Sequence, residues 1–213
     1  MSDWYHVSEE SVMKTLISEI RVFGSRIGNI TSILAHLALL LAFGFMIPKL
    51  KGVDFLDSEV LGAYACLGII FAAPATAQAF TDEFGVSFQQ AIARIMVSVL
   101  YGELVSMLLL GAGIATVYLT NRGGFIPPPD WETIGKCAAF GLGASVMLAS
   151  FSALLAVRFS RRVAMICLRL AFFGLLVLFF YKGRWLSDVG LNGAIACLAV
   201  AGLLFVLLRK VCR

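Results

Sequence analysis

The sequence predicts an all-α integral membrane protein with six transmembrane helices, and three observations support that fold class. Hydrophobic residues make up 60% of the 213 residues, whereas charged residues make up only 14%. Most apolar residues fall in runs close to the roughly 20 residues that a helix needs to cross a hydrocarbon core. Transmembrane strands would instead show shorter segments of alternating hydrophobicity. Lipid is therefore the expected solvent of this chain.

The predicted spans take up more than half of the chain and leave no room for a soluble domain. We divide the sequence into an N-terminal tail with an amphipathic helix, residues 1–29, and a six-helix transmembrane domain, residues 30–213. The N-terminus lacks the basic start and apolar core of a signal peptide, so the first span is expected to remain in the protein. The predicted spans are residues 30–47, 60–80, 99–119, 135–157, 163–180 and 191–208.

The basic residues predict the orientation of the chain. Most Lys and Arg residues lie on the side that holds both termini, and the densest group, Arg158, Arg161 and Arg162, separates the fourth and fifth spans. Because Lys and Arg accumulate in cytoplasmic loops, both termini are predicted to be cytoplasmic. This placement also explains the net charge of +4 without a nucleic-acid partner.

The stretch before the first span predicts an amphipathic helix. Between residues 11 and 29, apolar residues recur in steps of three and four and form one helical stripe. We expect this helix to lie in the cytoplasmic head-group layer and to bend into the first span at Gly28-Asn29. A soluble extension beside the membrane is the alternative. The stripe consists of Val12, Leu16, Ile20, Phe23 and Ile27, beside the polar Lys14, Glu19, Arg21 and Arg26.

The link between the second and third spans, residues 81–98, predicts a second amphipathic helix. It opens with Thr81-Asp82-Glu83, a hydroxyl followed by acidic residues, as is typical of a helix start. Two amphipathic helices on one side would form a surface on which a soluble partner can dock, and two ordinary interfacial helices are the alternative. Apolar Phe84, Phe88, Ile92 and Ile95 face one way and polar Ser87, Gln89, Gln90 and Arg94 the other.

Ionisable side chains are rare inside the predicted spans. A charged group at membrane depth is costly and marks a functional pathway when it is present. Glu103 in the third span and Arg169 in the fifth are the candidates for coupling within the membrane, either at the interface or paired with each other. His36 in the first span is expected to make a polar contact with a neighbouring helix rather than to bind a metal.

No catalytic, cofactor or metal site is predicted. The chain has no HExxH or GxSxG motif and no Gly-rich phosphate loop, and its five cysteines lie singly. We therefore do not expect it to be an enzyme by itself. The fourth span is rich in small residues, which let helices approach closely within one chain or across a dimer seam. These residues are Gly141, Gly143, Ala144, Ser145, Ala149, Ser150, Ser152 and Ala153.

Two stretches carry a resemblance to a known family. Asp82-Glu83-Phe84-Gly85-Val86-Ser87-Phe88-Gln89-Gln90 and Leu100-Tyr101-Gly102-Glu103-Leu104, in a chain with this topology, resemble the membrane subunits of ABC-2-type exporters. By its small size the chain is most similar to the haem-exporter-type permeases of cytochrome c maturation. The resemblance implies an amphipathic elbow helix before six spans, a coupling helix between the second and third spans, and a bacterial inner membrane.

The resemblance also implies a mechanism. A permease half of this type pairs with a second half, as a homodimer or heterodimer in membrane lipid, and is driven by a separate ATPase subunit that docks on the coupling helix. Arg21 and Arg26 would then pair with the acidic end of that helix. Cargo and haem involvement stay open, and the alternative function is a structural or assembly subunit of a larger membrane complex. The implied ATPase interface is Asp82, Glu83, Gln89, Gln90 and Arg94.

Overall fold

The computed structural model describes residues 9–28, 30–80, 86–121, 123–159, 166 and 185–212, and every regular element among them is helical. A π-helical turn, Ala42–Met46, separates α2 from α3, and a 3₁₀ turn, Gly52–Leu56, follows α3. The predicted all-α class is confirmed. The α-helices are α1 (Glu9–Ile27), α2 (Ile30–Leu41), α3 (Ile47–Lys51), α4 (Ser58–Ala65), α5 (Gly68–Ala79), α6 (Phe88–Thr120), α7 (Trp131–Arg158) and α8 (Trp185–Val211).

Five helical segments of the described residues are long and apolar enough to cross a membrane. They match the first, second, third, fourth and sixth predicted spans, which confirms that the chain has the character of an integral membrane protein. The predicted fifth span, residues 163–180, lies outside the described residues. The segments are Ile30–Leu56, Ser58–Ala79, Phe88–Thr120, Trp131–Arg158 and Val189–Val211.

Helices α7 and α8 pack side by side and run parallel. Gly190 lies against Lys136 near the start of both helices, and Gly143 lies against Ala194 further along. Parallel neighbours place the end of α7 and the start of α8 at opposite ends of the bundle. We use "α1 face" for the end of the bundle where α2 and α6 begin and α5, α7 and α8 end, and "far face" for the other end.

Pro48 interrupts the first span without ending it. Proline has no N–H group, so the carbonyls one turn earlier lose a hydrogen-bond donor. Inside a membrane no water molecule can take the place of that donor. Two side chains supply the missing donors. The Tyr64 hydroxyl donates to the Phe43 carbonyl at 2.8 Å. The Thr116 hydroxyl shares its hydrogen between the Gly44 carbonyl at 2.6 Å and the Ala112 carbonyl of its own helix at 2.8 Å. The π-helical turn therefore ties the first span to α4 and α6.

The third span begins earlier than the sequence predicted. Ser87 has an extended backbone and caps α6: its hydroxyl accepts from the Gln90 N–H at 3.3 Å, and the Gln90 side chain accepts from the Ser87 N–H at 3.0 Å. This is a capping box. The predicted separation of an amphipathic helix from the third span is therefore wrong from Phe88 to Ser98, because these residues form one helix with the span. Residues 81–85 of the predicted helix lie outside the described residues.

Helix α7 packs against α5 and α8 through its small residues. Its start is capped by Asp130, whose carboxylate accepts from the Thr133 hydroxyl at 2.6 Å and from two backbone N–H groups. The hydrogen bond from the Thr133 side chain holds the pKa of Asp130 below its usual value. Further along, the Ser152 hydroxyl donates to the Ala73 carbonyl of α5 at 2.9 Å. The fourth span is thus a packing helix within this chain.

A matched pair of glycine substitutions in α7 tests this packing. A methyl group on Gly143 would lie 2.9 Å from the Ala194 carbonyl oxygen, whereas one on Gly135 would meet nothing within 4 Å. We expect Gly143→Ala to lower the free energy of unfolding by about 1–3 kcal/mol through overpacking. Gly135→Ala should cause no loss, since Ala favours a helix more than Gly does. Unfolding of the purified chain in detergent measures both, and equal effects would contradict the α7–α8 packing.

Candidate functional site

The residues predicted to contact an ATPase subunit differ in their surroundings. Gln89 is exposed in the first turn of α6, and Gln90 is held in the capping box with Ser87. Asp82 and Glu83 lie outside the described residues. Arg94 is buried, so its side chain does not belong to the exposed polar face that the sequence predicted.

Arg94 instead joins α1 to α5 and α6. Its Nε lies 3.2 Å from the Glu19 carboxylate of α1, and the two side chains are only 6% and 13% exposed. A second guanidinium nitrogen donates to the Ala79 carbonyl at the end of α5, at 3.0 Å, and the group lies 5.6 Å from the Phe80 ring centre. A buried charge has to be paired and hydrogen-bonded. This ion pair therefore holds α1 against the bundle.

The predicted elbow residues do not form this contact. Arg21 is exposed on α1, and the side chain of Arg26 lies outside the described residues, as do Asp82 and Glu83. The pairing of Arg21 and Arg26 with acidic residues therefore stays a prediction. In the ion pair that the structure describes, the acid is on α1 and the base is on α6.

Three consecutive residues of α6 each contact a different helix. Tyr101 hydrogen-bonds with His36 of α2. Gly102 packs so closely on α5 that a methyl group there would lie 2.5 Å from the Gly68 carbonyl oxygen. Glu103 accepts a hydrogen bond from Ser145 of α7 at 2.8 Å. The first, second and fourth spans therefore meet at this one turn of α6, which lies within the stretch that carries the family resemblance.

Tyr101 is the centre of an aromatic and polar cluster. His36 Nδ1 lies 2.6 Å from the Ser32 carbonyl oxygen, which can only accept, so we assign the hydrogen to Nδ1. Nε2 then accepts from the Tyr101 hydroxyl. The rings of Phe23 and Phe71 lie 5.2 and 6.4 Å from the Tyr101 ring, both edge-on. The predicted polar contact of His36 with a neighbouring helix is confirmed.

Glu103 lies near the middle of α6, opposite an interruption in the second span. Helices α4 and α5 are separated at Cys66-Leu67, and α5 resumes at Gly68, where a methyl group would lie 2.5 Å from the Glu103 carboxylate. Glycine therefore makes room for the carboxylate. The proposed partner Arg169 lies outside the described residues. The described donor to Glu103 is the Ser145 hydroxyl.

The sequence did not identify Glu19, Tyr101 and Ser145 as partners of the candidate residues. In the sequence, Glu19 belongs to a polar stripe, and Ser145 is one member of a small-residue surface. No group of three or more His, Cys, Asp or Glu side chains that could hold a metal ion occurs among the described residues. Comparison with protein-family models, curated proteins and solved structures gives no match.

The ion pair between α1 and α6 can be tested by removing one partner. Arg94→Met keeps the length of the side chain but leaves the Glu19 carboxylate buried without its cation. Removing one partner of a buried pair costs on the order of 3 kcal/mol. We expect a loss of this size in the free energy of unfolding and faster proteolysis within α1.

The control is Glu132→Gln, which breaks the exposed Glu132–Lys136 pair, and it should change neither property. Glu19→Gln added to Arg94→Met should restore part of the stability, because no unpaired charge remains. Equal stability of Arg94→Met and the unmodified chain would contradict the role of the pair.

Proposed function

We propose that this chain is the permease subunit of an ABC-type exporter, driven by a separate ATPase subunit. The observation that carries the proposal is the continuity of α6. This helix begins at the α1 face, beside the segment that resembles a coupling helix, and its 33 residues form one continuous helix about 50 Å long. A displacement of its first turn would therefore be transmitted along the whole span.

The contacts of α6 with its neighbours would transmit that force to other helices. Near its start, Arg94 joins it to α1 and to the end of α5. Two turns later, Tyr101, Gly102 and Glu103 join it to the first, second and fourth spans. ATP-driven movement of a subunit docked at Gln89 and at residues 81–85 would thus displace three spans together. On this proposal the α1 face, with both termini, is cytoplasmic.

The apolar surfaces of the chain fit a subunit of a larger membrane assembly. The first span is largely unburied within the chain and carries exposed Ile30, Leu34, Leu37 and Leu41. The sixth span likewise carries exposed Leu203 and Val206. In a membrane these surfaces contact lipid or another permease half. A bacterial inner membrane is the proposed location.

Purification of the tagged chain from native membranes in mild detergent tests the proposal. We expect a soluble subunit with a phosphate-binding loop to co-purify, with ATP hydrolysis in the eluate. Asp82→Ala with Glu83→Ala, or Gln89→Arg, should lower both, because these changes alter the proposed docking surface without breaking the cap at Ser87. Asn192→Ala alters an exposed polar side chain near the far face and serves as the control.

The alternative outcome of that purification is equally informative. If only other membrane proteins co-purify and the eluate has no ATPase activity, the chain is a structural or assembly subunit. The docking role of residues 81–90 is then wrong.

Two substitutions at Glu103 test how α6 transmits movement to α7. Glu103→Gln keeps an oxygen that accepts from Ser145, whereas Glu103→Leu leaves that hydroxyl without an acceptor, at a cost of about 1–3 kcal/mol. If the hydrogen bond is what couples the helices, Glu103→Gln should retain the ATPase activity of the complex and Glu103→Leu should lower it. Equal losses in both variants would contradict this role of the hydrogen bond.

A further inference from the structure

Two neighbouring spans end in basic residues at the α1 face. Helix α7 ends at Arg158, and the last turn of α8 carries Arg209 and Lys210. All three side chains are exposed. Because α7 and α8 run parallel, these basic residues lie at the same end of the bundle.

The packing of α7 on α8 brings the two basic ends to one level. Gly143 of α7 lies against Ala194 of α8, and Arg158 and Arg209 each follow 15 positions later in their own helices. At 1.5 Å per residue, both lie about 22 Å further along the helix axes. Leu208, next to Arg209, is fully buried in a core cluster with residues of α7. The last turn of α8 is therefore still packed on the bundle.

The charge of these residues exceeds the opposing charge of the helix ends. The carbonyl end of a helix carries about half a negative charge, so α7 and α8 together bring about one negative charge to this level. Arg158 and Lys210 carry two positive charges. The sequence that follows α7, residues 159–184, begins with two more basic residues, Arg161 and Arg162, and contains no Asp or Glu. The ends of α7 and α8 therefore favour an anion.

The exposed surface that leads to these cations is apolar. In α8, Leu203 and Leu207 are exposed and precede Lys210 by seven and three positions, which places them on one helical face. In α7, exposed Phe151 precedes Arg158 by seven positions, or two turns. Basic residues at the end of an apolar span lie at the depth of lipid head groups. The anion that meets them there is the phosphate of a membrane lipid.

We propose that the ends of α7 and α8 bind an anionic phospholipid of the leaflet at the α1 face. Arg158 and Lys210 pair with its phosphate, and its acyl chains lie along exposed Leu203 and Leu207. Arg209, which already interacts within the chain, adds its charge at the same level. A zwitterionic phospholipid has no net negative charge and is held less tightly. The inference is independent of the proposed transport function.

Native mass spectrometry of the purified full chain tests the proposal with two defined probes. The chain is incubated in detergent with phosphatidylglycerol or, separately, with phosphatidylethanolamine at equal concentration. We expect phosphatidylglycerol to be retained in preference, and equal retention of the two lipids would overturn the proposal. A basic residue beside anionic lipid contributes about fivefold in affinity, so Arg158→Gln combined with Lys210→Gln should weaken the retention of phosphatidylglycerol roughly 30-fold.

Two control variants separate a lipid site from a general effect of charge. Lys49→Gln combined with Lys51→Gln removes two exposed cations at the far face and should leave the retention unchanged. Arg158→Lys combined with Lys210→Arg keeps both charges at the proposed site and should also retain the lipid. A loss in the far-face variant equal to that in the Arg158 and Lys210 variant would contradict the proposed site.

A third measurement distinguishes a lipid from other anionic ligands. Glycerophosphoglycerol is the same head group without acyl chains, and at equal concentration it should not displace phosphatidylglycerol. Displacement would assign the cations to a free phosphate and would overturn the proposal. Arg158→Gln with Lys210→Gln might instead leave lipid retention unchanged and remove a co-purifying soluble protein; the cations would then contact that protein, and the lipid site would be wrong.

Discussion

Backbone carbonyls in a membrane have no water to bind, so every interruption of a helix has to be closed by a donor from the protein. This constraint accounts for hydrogen bonds that hold the first and second spans to α6. The turn before Pro48 is closed by hydroxyls from Tyr64 and Thr116. At the interruption between α4 and α5, the Tyr64 carbonyl accepts from the Leu67 N–H at 3.1 Å and also from the Ser106 hydroxyl of α6 at 2.7 Å. Each interrupted span is thereby held by a hydroxyl from a regular neighbour.

Helix α6 is the regular neighbour in two of these contacts, and its continuity follows from its sequence. It starts at a capping box and contains no proline, whereas the first and second spans each contain one. Long, uninterrupted helices transmit displacement along their axis, and interrupted helices can change shape at the interruption. The continuous α6 thus lies beside the interrupted first and second spans. This arrangement suits the proposed movement of the membrane part from one face.

Helix α1 connects the buried ion pair to the aromatic cluster at Tyr101. Phe23 of α1 contacts Tyr101, and it lies one turn from Glu19, which pairs with Arg94. Movement of α1 would therefore alter the ion pair and the cluster together.

The spans could be predicted from the sequence because hydropathy depends on local composition. The partners could not, because they depend on residues far apart in the chain. The sequence places Arg94 on a solvent-facing polar stripe, because a helical period cannot distinguish a residue that faces water from one that faces Glu19, 75 positions away. The start of α6 could be predicted from the sequence, because Ser87 and Gln90 have the spacing of a capping box, although Asp82 and Glu83 are also typical of a helix start.

The continuity of α6 is the central claim, and one distance tests it most directly. Gln89 and Leu119 are exposed near opposite ends of the helix, 30 residues apart, so spin labels at these positions should lie about 45 Å apart. Pulsed electron paramagnetic resonance measures that distance. The chain is reconstituted in lipid nanodiscs, and the labels are attached to non-natural amino acids. A single narrow distribution near this value is the predicted result. A distinctly shorter or divided distribution would show that a separate helix precedes the third span, and would contradict the account.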